Sequence, residues 1–114
     1  MANFGTLERI ALAFPEVTLE PHFEKISFRI KKKIFATYDE RNHRVTVKLS
    51  KVDQDDFSSL SSSICQVDSK WGKQGWTLVE LCEISEELLS EVLRKAYREV
   101  APKKLSESVQ KNGK

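Results

Sequence analysis

The spacing of apolar residues changes period along the chain, and each change marks an element. Phe4, Leu7, Ile10, Ala11 and Phe14 recur every three or four residues and predict a helix with one apolar stripe, capped by Asn3 or Thr6 and stopped by Pro15. The period then drops to two. Ile26, Phe28 and Ile30 alternate with Ser27, Arg29 and Lys31, Ile34 to Tyr38 reads as a further strand, and Val45, Val47 and Leu49 alternate with Arg44, Thr46 and Lys48. Such alternation belongs to half-buried antiparallel strands. The polar stretches Lys31–Lys33 and Asp39–His43 connect them as hairpin turns. Val17–Phe23 is a candidate edge strand, the one setting that tolerates Pro21.

Helical spacing returns after Ser50. A second helix is predicted near Val52–Ser62, with Asp53, Asp55 and Asp56 near its start and Phe57, Leu60 and Ile64 facing inward. Its run of serines favours an early end. Cys65–Val67 and Trp76–Leu81 read as two strands joined by the loop Ser69–Gly75. The last helix is the clearest: Ser85 caps it, Glu86 and Glu87 suit its dipole, and Leu88, Leu89, Val92, Leu93, Ala96, Tyr97 and Val100 form a wide apolar face. Pro102 ends it. The predicted fold class is α+β, an antiparallel sheet meander with helices on one face in the order α-β-β-β(-β)-α-β-β-α. Residues 1–105 are expected to form a single domain and residues 106–114 a flexible basic tail.

Composition fits this picture. The 114 residues suit one domain, and 32% charged against 39% apolar suits a globule rather than a disordered chain. The apolar runs are too short to span a bilayer, and the first fourteen residues lack the pattern of a signal peptide, so a cytoplasmic, monomeric chain is expected. Cys65 and Cys82 make neither a CxxC nor a zinc spacing and are expected as reduced, partly buried thiols. Charge is uneven along the chain. Residues 22–51 carry nine Lys/Arg against three Asp/Glu, whereas residues 52–100 carry five against ten.

Little in the sequence supports catalysis. There is no GxSxG elbow, no phosphate-loop glycine pattern and no Cys–His pairing that spacing would bring together, and the paired acids lie at helix starts. No catalytic residue, cofactor or metal site is expected. The polar strand residues Ser27, Arg29, Thr46 and Lys48 should share one sheet face, either as ordinary solvated surface or as an anion-binding site with Lys25, Lys33 and Arg44 nearby. His22 opens this basic segment, and His43 sits in a polar turn. Trp71 and Trp76 flank Gly72-Lys73-Gln74-Gly75, where they could stack on a ligand or anchor the loop; Trp76, heading a strand, is expected in the core.

Six segments in one order carry a family resemblance: Glu20-Pro21-His22-Phe23, Ser27-Phe28-Arg29-Ile30, Lys33-Ile34-Phe35-Ala36-Thr37, Val47-Lys48-Leu49-Ser50, Trp71-Gly72-Lys73-Gln74-Gly75-Trp76-Thr77 and Ala96-Tyr97-Arg98-Glu99-Val100-Ala101-Pro102-Lys103. Over about residues 3–105 the chain resembles the MmcQ/YjbR family of small bacterial proteins, departing from it at Ala96, where many members have Ser. The resemblance implies a CyaY-like or secretion-chaperone-like α+β fold and a DNA-binding role of the double-wing type. Three functions follow as expectations. The first is a binding module for DNA, weak and non-specific, using the basic strands. The second is a pocket for a small anionic ligand. The third is a protein-interaction adaptor. The candidate binding residues are His22, Arg29, Lys33, Lys48, Trp71 and Lys73.

Overall fold

The computed structural model describes residues 2–109. Asn3 opens the first helix, α1 (Phe4–Leu12), by accepting a hydrogen bond from the Thr6 amide at 2.9 Å. Four strands follow: β1 (Val17–His22), β2 (Lys25–Ile30), β3 (Lys33–Asp39) and β4 (Arg44–Lys48). Each pairs antiparallel with the next. Helix α2 (Lys51–Leu60), capped by Ser50, then carries the chain past the sheet to β5 (Ile64–Gln66). A four-residue helix, α3 (Lys70–Lys73), precedes β6 (Trp76–Glu80), which inserts between β4 and β5. The sheet order is therefore β1-β2-β3-β4-β6-β5, with Pro21 on an edge strand as expected.

Helix α4 (Glu86–Val100) packs across β3 and β4, with α1 beside it. Leu89, Val92, Leu93, Ala96 and Tyr97 face Phe28, Ile30, Val45, Val47 and Val79 of the sheet in one continuous core. Tyr97 fixes the end of α1: its ring stacks on Phe14 at 5.0 Å and its hydroxyl donates to the Pro15 carbonyl at 2.8 Å. Burial, reinforced by the charge of Glu16, raises the pKa of that hydroxyl.

Several expectations are corrected. Leu60 is 71% exposed; α2 buries Phe57, as expected, but with the polar Gln54 beside it. The chain beyond Pro102 forms a short helix, α5 (Lys103–Ser108), because Leu105 and Val109 have core side chains to pack against. The remainder of the expected tail, 110–114, lies outside the described residues. Both cysteines are exposed rather than partly buried.

A groove on the open face of the sheet

Alternation sends one set of strand side chains to the helices and the other to the opposite sheet face. Strand register ties the latter into rows: Glu20, Ser27, Thr37, Thr46, Leu78 and Cys65 stand side by side across all six strands. A β-bulge adjusts this pattern. Phe28 pairs with Ala36 but Arg29 pairs with Ile34, so Phe35 is an extra residue. Phe35 and Ala36 are both buried, and Ile34 is turned to the open face beside Arg29.

This face holds a groove of about 480 Å3. The central strands contribute Ile34, Thr37, Thr46 and Leu78, the β5–β6 side contributes Val67, Trp71 and Trp76, and the β1–β2 hairpin contributes His22 and Lys25. Two larger hollows are of a different character. One of about 650 Å3, between α1 and α4, is lined by Arg9, Glu86, Glu87, Ser90 and Glu91 with Ile10; the other, of about 570 Å3, by the charged and polar tips Glu24–Lys25 and Asp39–Asn42. A binding groove combines apolar walls with a few convergent polar groups, and only the sheet-face groove among these three does so.

The tryptophan loop is held in place by its glycines and by Gln54. At Gly72 a Cβ would stand 1.9 Å from the Val67 carbonyl oxygen, and at Gly75, with φ +107°, 1.9 Å from that of Leu49. The Gln54 side-chain amide lies within hydrogen-bond reach of the Gly72 carbonyl (3.0 Å), the Trp76 carbonyl (3.1 Å) and the Thr77 hydroxyl (3.1 Å), which in turn donates to the Gly75 carbonyl. Trp71 stands 53% exposed on this anchored loop, with the Lys70 ammonium 5.7 Å from its ring centroid. Trp76 is half-buried on the open face, not in the core, because Thr77 and Val79 take the inward positions of β6.

Of the candidate residues, the fold brings His22 and Trp71 to the groove. Arg29 lies on the same face and donates to the Ser27 hydroxyl at 2.9 Å. Lys48, its side chain three-quarters covered, reaches Glu99 at 3.8 Å. Lys33 opens β3 and Lys73 closes α3, both exposed and neither lining the groove. Lys25 is the cation of the groove. It also faces Asp39, whose carboxyl is held below its ordinary pKa first by the Asn42 side-chain amide, then by the Asn42 backbone amide, and to a lesser degree by this lysine. Burial, with Glu40 nearby, raises the pKa of Tyr38, which packs on Phe4 on the core side. Ile34, Thr37, Val67 and Leu78 line the groove without having stood out in the sequence, and Lys25, Thr46 and Trp76, which stood out there only as sheet-face or loop residues, line it as well. The alternation of Thr46 was a usable signal, whereas Ile34 is placed by the bulge and Leu78 by the choice of inward face on β6. Among the described residues no three His, Cys, Asp or Glu side chains are grouped to hold a metal ion, and no helix is long and apolar enough to cross a membrane.

The fold defines a class: an α+β domain whose antiparallel sheet is covered by helices on one face and grooved on the other. The chain belongs to the YjbR family, whose model matches residues 12–99, a span that includes every groove residue. The crystal structure of a Deinococcus radiodurans protein with a DUF419 domain has the same fold, with a TM-score of 0.73 over 86% of this chain and 78% of that one, at 22% sequence identity. No curated protein matches the chain.

Proposed function

We propose that this protein is a binding module whose open sheet face holds a small ligand with an apolar body and an acidic group. The observation that carries the reading is the groove itself. Ile34, Val67, Trp71, Trp76 and Leu78 offer apolar surface to an incoming molecule, and Lys25 with His22 supplies donors at the hairpin end. Nucleic acid binding along the basic strands has less support. Arg44 is paired with Glu80 at 2.8 Å, Lys48 with Glu99 and Lys31 with Glu16 at 2.7 Å, so several cations counted in the basic segment already face carboxylates.

The probe is 2-naphthoate, a flat apolar body with one carboxylate, titrated against tryptophan fluorescence. Binding should be saturable, and it should weaken roughly tenfold in Trp71→Ala, the order expected for loss of one aromatic contact. Lys25→Ala should remove most of the preference for 2-naphthoate over the uncharged 2-naphthamide. Absence of a saturable response, or equal affinity for both compounds in the unaltered protein, would overturn the reading. A short single-stranded oligonucleotide binding more tightly than naphthoate, with steep salt dependence, would move nucleic acid to first place.

A further inference from the structure

The β1–β2 connection is two residues long, Phe23-Glu24, and Phe23 adopts φ 59°. Tight hairpin turns favour Gly, Asn or Asp in this left-handed region, and a bulky side chain there is an outlier. Nor does burial compensate: Phe23 is 94% exposed, the most exposed of the large apolar side chains among the described residues. Its ring makes an edge contact with His22, centroids 4.8 Å apart, and His22 lines the groove. Backbone and solvent both disfavour phenylalanine at this position, and apart from the edge contact with His22 the ring adds no burial to the folded state that glycine would lack. Residues held at such a cost cluster where a ligand is contacted.

We infer that Phe23 is a ligand-contact residue and that the ligand of the groove is a planar aromatic acid. This rests on the sheet-face reading above and narrows it. Four rings stand in or beside the groove: His22, Phe23, Trp71 and Trp76. Aromatic rings prefer offset or edge-on contact with other rings, and such a ring set favours a flat aromatic body over a flexible aliphatic chain of equal area. The carboxylate or phosphate of that body meets Lys25, two residues from Phe23 on the same hairpin.

The test exploits opposite signs. Phe23→Gly should leave the thermal midpoint unchanged or raise it, since the left-handed turn is relieved and no core contact is lost. The same variant should bind 2-naphthoate about tenfold more weakly, and Phe23→Tyr, which keeps the ring, should bind it as the unaltered protein does. Octanoate, an aliphatic acid, should bind less tightly than naphthoate and should not respond to Phe23→Gly. If the unaltered protein binds naphthoate but Phe23→Gly binds it equally well, the role of Phe23 is overturned while the groove stands. If octanoate matches naphthoate, the aromatic ligand class is overturned. If neither acid binds, both the groove reading and this inference fall.

Discussion

At the scale of single residues, Gln54 shows how a polar side chain in the core can serve the surface. It is 1% exposed, sits where an apolar residue would ordinarily pack, and is surrounded by the carbonyls of Gly72 and Trp76 and the hydroxyl of Thr77. Lys51 donates to its carbonyl oxygen at 2.5 Å, so both ends of the amide have partners. Gln54→Ala would leave buried carbonyls without a donor and open a small void. The expected cost is about 1–3 kcal/mol in a denaturant titration. Because the bonds run to the loop bearing Trp71, the variant should also weaken naphthoate binding without touching a groove side chain. A variant of unchanged stability would show that water replaces the amide. Periodicity could not have revealed Gln54, since a lone polar residue in a serine- and aspartate-rich helix carries no pattern that distinguishes it from its exposed neighbours.

Among the elements, α4 was the most legible in the sequence and remains the clearest in the fold. Ser85 accepts from the Leu88 amide at 3.1 Å, and the acids Glu86 and Glu87 follow in the first turn. Leu93 lies fully buried at the centre of its inward face. Leu93→Ala should therefore destabilise by about 2–5 kcal/mol, measured as a shift in the denaturation midpoint; a loss under about 1 kcal/mol would mean that the site collapses without a cavity. The strands were legible as alternation, and their antiparallel pairing follows from short connectors. Helix α2 was less so: its inward residues were mistaken at Leu60, because the serines around it give the helical period too few apolar points to set a face. Strand β6 shows the same difficulty in another form. Trp76 and Leu78 on one face, Thr77 and Val79 on the other, leave apolar residues on both, and alternation then cannot say which set is inward.

For the whole molecule, the relevant quantity is where charge ends up once the chain has folded. The basic segment 22–51 and the acidic segment 52–100 are separate in sequence, yet Arg44 meets Glu80 and Lys48 meets Glu99 across it. Such partly covered pairs lower the field that a polyanion would meet. Duplex DNA should accordingly bind no tighter than the non-specific range, roughly 1–100 µM at physiological salt, in a fluorescence-anisotropy titration. Affinity a hundredfold tighter, lost in the double variant Arg29→Ala/Lys48→Ala, would restore the basic strands as the principal site.

The sequence by itself determined the α+β class, the main run of helices and strands apart from the short α3 and α5, the cap at Ser85, and the core face of α4, because each is written in local spacing that a chain of this length reads over a few residues. It also carried the family, through six short segments in register. What tertiary structure alone decided was the site. Strand order placed β6 against β4 and β5 at the edge, the bulge at Phe35 turned Ile34 outward, and Thr77, bonded by the Gln54 amide, and Val79 became the inward residues of β6 in place of Trp76 and Leu78. These are comparisons between alternative burials of similar apolar area, so their outcome depends on residues distant in sequence. The groove is assembled from residues as distant in sequence as His22 and Leu78, and no local pattern could announce it.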